Sequence, residues 1–213
     1  GTSLRRNTLS ILSRWKILDN LRRSLTAAAL TLLLLLGWAV LPAPWFWTLV
    51  VVASVLLPPL IIALLGILQK PGEVTLGQHL RTTLRSSGKS SLQAIFAVVC
   101  LPFEGYFGLD AIFRTLWRLL VSHRRLLEWN PSGDSERTDN LSLAASVKAM
   151  WSGPVLAILT AASLALSAPL VLLVAGPLLL LWLFSPFIAW WISRQRLDVP
   201  LKLTGEQTIF LRR

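Results

Sequence analysis

Residues 25–68 decide the fold: LTAAALTLLLLLGWAVL, then Pro42, Ala43 and Pro44, then WFWTLVVVASVLLPPLIIALLGIL. The runs on either side of the prolines contain no charged side chain. A helix needs about 17–25 predominantly apolar residues to cross ~30 Å of hydrocarbon, and both runs are long enough. Because prolines cannot continue a helix between the runs, the stretch predicts a transmembrane hairpin with a tight turn. Pro58 and Pro59 are expected to kink its second helix.

The composition of the whole chain agrees with a membrane protein. Of 213 residues, 54% are apolar and only 15% are charged, yet the net charge is +11. Soluble domains carry about 25% charged residues, so an ordinary water-soluble enzyme is excluded. A nucleic-acid partner is not expected, because such binding needs a polar, charged surface that this chain lacks. A membrane protein with basic cytoplasmic segments fits both the low share of charged residues and the high net charge.

A second block without charges covers residues 151–193. Its 43 residues are too long for one crossing, and two places are candidates for the turn. One is at Ser167, Ala168 and Pro169, and the other is at Gly176 and Pro177. Both remain possible, and the resulting helix lengths favour the first. The last helix would then be bent at Pro177 and again at Ser185 and Pro186.

The positions of the cations predict the orientation. None of the 21 Lys and Arg residues lies in either charge-free block. Since basic residues mark the cytoplasmic side of an inner membrane, both termini and the middle segment are expected there. The predicted fold is all-α, with four transmembrane helices in two hairpins. Its parts are a cytoplasmic amphipathic interfacial helix (1–24), the first hairpin (25–68), cytoplasmic interfacial helices with a re-entrant segment and a polar loop (69–150), the second hairpin (151–193) and a cytoplasmic linker to a following domain (194–213).

The middle segment contains a short apolar run at residues 92–103, about 18 Å long as a helix. Cations flank it on both sides, so it is interpreted as re-entrant or surface-lying. Three stretches, 9–25, 74–89 and 109–129, combine a helical apolar period with a basic face. These amphipathic helices have two possible roles. They form a platform that docks a cytoplasmic catalytic domain, or they are simply attracted to the anionic lipid of the inner leaflet. Residues 130–140 are predicted to be a polar loop.

Recognisable catalytic chemistry is missing from the sequence. It has no phosphate loop, no GxGxxG and no metal-binding Cys/His pair, so no catalytic, cofactor-binding or metal-binding residue is assigned. Cys100 lies in an apolar run and is expected to be buried. His79 and His123 stand among basic residues and are expected to be solvated or interfacial, and Glu104 to mark where the short run surfaces. Four tryptophans could stack on sugars, although those near the turns are better explained by an interfacial aromatic belt: Trp38, Trp45, Trp47 and Trp182.

Three strings carry a specific resemblance. They are RWKILDNLRRSL at residues 14–25, LDAIFRTLWRLLVSHRRLLEW at 109–129 and LWLFSPFIAWWIS at 181–193. In this order they resemble the membrane region of cyclic β-1,2-glucan synthases, large bacterial inner-membrane proteins of glycosyltransferase family 84. The resemblance covers nearly the whole chain.

The resemblance implies an anchoring role within a larger enzyme. In that family a cytoplasmic glycosyltransferase domain precedes this region and uses UDP-glucose with a divalent metal, and a glucoamylase-like and a glycoside-phosphorylase domain follow. The transferase's carboxylates and its Arg-Trp acceptor motif are not in these residues; Arg14 and Trp15 belong to the string that opens the first hairpin. The chain starts at Gly1, which we interpret as an internal position. The alternative is a stand-alone small membrane transporter or scaffold, and the flanking reading frame would discriminate the two.

Overall fold

The computed structural model describes residues 10–69, 75–123 and 142–193. Within these ranges the chain forms helices and no strand, which confirms the all-α prediction. We number the α-helices in chain order: α1 (Ile11–Ala39), α2 (Pro44–Leu68), α3 (Leu76–Trp117), α4 (Leu143–Ala149), α5 (Ser152–Ser167), α6 (Leu172–Leu183) and α7 (Ser185–Ser193). The predicted loop at residues 130–140 and the linker at 194–213 lie outside the described residues.

The turn between α1 and α2 lies at the predicted place. α1 ends at Ala39 and α2 begins at Pro44, where a proline is tolerated because the first helical N–H has no intrahelical partner. Ala43 adopts a left-handed conformation with φ of 57° to close the turn. Within α2, Pro58 and Pro59 do not interrupt the helix, which continues to Leu68.

The middle segment differs from the sequence prediction. Residues 92–103 do not form a separate short helix but lie inside α3, a single helix of 42 residues that continues as a π-helical turn, Arg118–Ser122. The described parts of the predicted amphipathic stretches supply its two ends, residues 76–89 at the start and 109–117 at the finish. Likewise, α1 runs without a break through the predicted boundary between residues 24 and 25. The predicted boundaries in α1 and α3 therefore mark changes of composition within continuous helices and not helix ends.

The C-terminal helices break where the first of the two candidate turns lies. α5 ends at Ser167, Ala168 is non-helical, and a short 3₁₀ turn, Pro169–Val171, leads into α6. Pro177 stays inside α6, whereas the chain bends by 45° at the predicted position before Ser185. A second bend, of 66°, separates α4 from α5.

α3 is the central helix of the described structure, in contact with α1, α2, α5 and α6. One apolar core joins these helices: Leu34, Trp38, Val51, Val98, Leu101, Ala157, Leu164, Ala175, Leu178, Leu179 and Trp182. In the described ranges three continuous helices, α1, α2 and α3 with its π turn, are long and apolar enough to cross a membrane, and up to five spans result if each bent pair is one. The predicted number of four falls between these values and stays a prediction.

Candidate functional site

A proline in α3 creates a polar contact between distant parts of the chain. Pro102 has no backbone N–H, so the carbonyl of Val98, four residues earlier, loses its helical partner. The indole Nε1–H of Trp182 in α6 donates to this carbonyl oxygen at 3.1 Å. Freed carbonyls inside a membrane protein must be satisfied by neighbouring helices, and Trp182 meets that need. The carbonyl that is freed by Pro102 in α3 is thus paired with a side chain of α6.

The four tryptophans divide into two groups. Trp38 and Trp182 are 2% and 0% exposed, and their rings lie 5.6 Å apart in the core. Neither is available to stack on a sugar or to join an interfacial belt, so both sequence interpretations fail for them. Trp45 is 61% exposed, while Trp47 donates to the carbonyl of Pro42 in the turn.

Small residues allow α1 and α3 to approach closely. A Cβ atom added at Gly105 would lie 3.1 Å from the Cα of Ala28, and one added at Gly108 would lie 2.6 Å from the carbonyl oxygen of Ser24. Glycine at both positions is what lets the two backbones meet, as is common between membrane helices. The pairing of Gly105 with Ala28 and of Gly108 with Ser24 shows that the helices run in opposite senses here.

The predicted basic stretches of α1 and of the end of α3 leave the α1–α3 crossing on the same side. Ser24, at the end of the basic part of α1, meets Gly108, just before the basic part at the end of α3. Asp19 pairs with Arg22 at 2.9 Å and with Arg23 at 2.6 Å. On α3, the predicted support of Arg114 by Asp110 is confirmed, with a nitrogen–oxygen distance of 2.7 Å. The basic residues of the third stretch, 74–89, lie at the other end of α3.

Two cavities follow each other along this part of α3. The larger, about 490 Å³, is an apolar groove between α1 and α3; its lining is Leu25, Ala28, Ala29, Thr31, Leu32, Leu35, Pro102, Gly105, Tyr106 and Leu109. The smaller, about 300 Å³, has a mostly apolar surface and lies between two aromatic and two arginine side chains: Phe113, Arg114, Trp117 and Arg118. We call them the apolar groove and the cationic pocket. The apolar groove was not predicted, because it is formed by two helices together, and the cationic pocket, at the end of α3, was not predicted either.

The two bends of the C-terminal half meet at one joint. A Cβ atom added at Gly153, next to the first bend, would lie 3.0 Å from the Oγ of Ser185 at the second. Ser185 is 1% exposed and its hydroxyl donates to the carbonyl of Trp182 at 2.8 Å. α4 and α7, which leave this joint, contact each other. The short helices are thus held as a pair.

The titratable residues singled out in the sequence do not converge. Cys100 is 3% exposed, as expected from its apolar surroundings. A ring nitrogen of His79 lies 3.0 Å from the carbonyl oxygen of Gly66, and His123 closes the π turn with a φ of 49°. Glu104 is exposed on α3. Among the described residues, no group of three or more His, Cys, Asp or Glu side chains is arranged to hold a metal ion.

Comparison with known proteins gives a specific match. No family model matches the chain. The chain is 32% identical over 206 residues to the cyclic beta-(1,2)-glucan synthase NdvB of Rhizobium meliloti (strain 1021). The chain is similar to one segment of a glucan synthase. The matched region takes up 96% of the chain but only 7% of that protein. The predicted resemblance to the membrane region of such a synthase is therefore confirmed, while membership of glycosyltransferase family 84 stays a prediction.

Proposed function

We propose that this chain is the membrane-embedded segment of a bacterial cyclic β-1,2-glucan synthase. Its role is to hold a cytoplasmic glycosyltransferase, which elongates β-1,2-glucan from UDP-glucose with a divalent metal, at the inner membrane. The observation that carries this proposal is the match of 96% of the chain to a cyclic glucan synthase. The helices long enough to cross a membrane support the anchoring part.

The interface helices are proposed to shape the side of the membrane on which the transferase works. The N-terminal half of α1 leaves Ile11, Trp15 and Leu18 exposed, at 87%, 67% and 59%. Near the start of α3, Leu76 and Leu84 are 64% and 60% exposed. Apolar faces of this kind, next to basic stripes, suit the boundary between lipid headgroups and a cytoplasmic domain.

A segment exchange tests the function. In the Rhizobium meliloti synthase, the aligned segment is replaced by this chain, and membranes are assayed for β-1,2-glucan made from labelled UDP-glucose. We expect the exchange to retain synthesis, and a control with an unrelated four-helix anchor to lose most of it. If the exchanged protein reaches the membrane and binds UDP-glucose but elongates no more glucan than the control, the proposal is wrong. The purified chain alone should transfer no glucose.

Single cysteines test the proposed topology, in which both termini and the two ends of the middle segment are cytoplasmic. In a Cys100→Ser background, cysteines replacing Ala43 and Ser132 should react with a membrane-impermeant reagent from opposite sides, and one replacing Gln69 should react from the same side as Ser132. The Gln69 position matters because of two contacts of α3. Thr83 meets Gly66 near the end of α2, whereas Gly108 meets Ser24 of α1, and these two positions lie far apart along one helix. Labelling of Gln69→Cys together with Ala43→Cys would mean that α3 crosses the bilayer and would contradict this topology.

A further inference from the structure

We infer that the apolar groove and the cationic pocket together bind one anionic phospholipid. An acyl chain occupies the groove between α1 and α3, and the headgroup phosphate lies at the arginines of α3. This inference goes beyond the proposed anchoring role, since it assigns a lipid of defined charge to a defined place.

The groove has the depth of one leaflet. On α1 its lining extends from Leu25 to Leu35, which is about 15 Å along a helix with a rise of 1.5 Å per residue. Half of the ~30 Å hydrocarbon core is the same length. Its volume, about 490 Å³, lies within the range of about 300–1,000 Å³ that is typical of ligand pockets. The groove therefore fits an acyl chain that runs parallel to α1.

The charges lie at one end of the groove. Leu25 is the first residue of the charge-free run, and Arg22 lies one turn before it. On α3, Leu109 ends the groove, and Arg114 and Arg118 line the cationic pocket that follows. An acyl chain in the groove thus has its headgroup at the basic end. This arrangement is complementary to an acidic lipid and not to a zwitterionic one.

The arginines differ in how much of their charge is already paired. Arg22 and Arg114 form salt bridges with Asp19 and Asp110. Within the described ranges Arg118 has no carboxylate partner. Its neighbours in the pocket, Phe113 and Trp117, stack with a centroid distance of 6.5 Å. Trp117 is 54% exposed, and tryptophan is enriched at the headgroup level of membranes. Arg118 is therefore the cation that we expect to bind the phosphate.

Lipid titration of the full chain in detergent tests the site. Phosphatidylglycerol or phosphatidylcholine is added, and bound lipid is counted by native mass spectrometry. We expect one phosphatidylglycerol to bind more tightly than phosphatidylcholine. Arg118→Gln should weaken that binding about fivefold, the effect of one basic residue near a membrane surface. The matched control is Arg85→Gln, which removes an exposed cation from the other end of α3 and should leave binding unchanged.

A second pair of variants tests the groove itself. Ala29 lines the groove and is exposed, so Ala29→Phe should fill it and abolish the selective binding. Ala162→Phe adds the same ring to an exposed position on α5 and should have no effect. Equal binding of both lipids, equal losses in Arg118→Gln and Arg85→Gln, or equal behaviour of the two phenylalanine variants would overturn the inference. So would a photo-crosslinker at Trp117 that labels protein and no lipid. None of these readouts depends on glucan synthesis.

Discussion

Replacing Trp182 by phenylalanine tests whether α6 completes the hydrogen bonding of α3. The substitution removes the indole N–H that lies 3.1 Å from the Val98 oxygen and leaves that buried carbonyl without a partner. An unsatisfied buried acceptor costs about 1–3 kcal/mol, and hydrogen bonds between membrane helices have measured about 0.6 kcal/mol on average and at most about 1.7 kcal/mol. We therefore expect about 1–2 kcal/mol from the hydrogen bond, plus a packing cost from the smaller ring in a core position.

The two contributions are separated by a second substitution. In Pro102→Ala, the new backbone N–H can bond the Val98 carbonyl within α3, so Trp182 is no longer needed there. The free energy of unfolding is measured by titration with sodium dodecyl sulfate in mixed micelles. The loss caused by Trp182→Phe should be about 1 kcal/mol smaller in the Pro102→Ala background than in the original chain. Only the packing cost remains.

Trp38→Phe is the matched control for this cycle. It also removes an indole hydrogen bond, 2.8 Å long and partly buried, but its acceptor is the Thr48 hydroxyl in α2 and not a carbonyl freed by a proline. Its cost should be the same with Pro102 and with alanine at that position. If Trp182→Phe also costs the same in both backgrounds, to within about 0.3–0.5 kcal/mol, the partnership of Trp182 with the Val98 carbonyl is refuted.

Two further predictions concern α3. Gly108→Ala should lower the free energy of unfolding by about 1–3 kcal/mol, because the added Cβ would lie 2.6 Å from the Ser24 oxygen. Gly88→Ala, with nothing within 4 Å of the added Cβ, should raise the free energy of unfolding by about 1 kcal/mol. Similar effects of both substitutions would contradict the close approach of α1 and α3. Cys100, at 3% exposure, should react with a small maleimide at least tenfold more slowly than an exposed cysteine introduced at Ser90 of the same helix. Equal rates would show that α3 is not packed as described.

Local composition explains the parts of the fold that were predictable. Runs without charges give apolar helices, and prolines with small residues give the turns at Pro42 and at Ala168, because these effects act within a few residues. The same reasoning gave no sign that residues 92–103 lie inside one long helix. Their length and flanking charges indicated a re-entrant or surface-lying helix, whereas in the structure they belong to α3, which contacts four other helices. The resemblance to a glucan synthase was also readable from local strings.

The sequence by itself determined an apolar, basic, all-helical chain with turns at two identifiable places and a recognisable relative. The tertiary structure decided which residues far apart in the sequence satisfy each other's hydrogen bonds and pack together. Val98 and Trp182 are 84 positions apart, so nothing local indicates that an indole replaces the N–H missing at Pro102. The apolar groove likewise exists only because Gly105 and Gly108 let α1 and α3 approach. Patterns along a chain record the preference of each segment for lipid or water, whereas contacts between helices depend on shape and on unpaired polar groups that only the folded chain brings together.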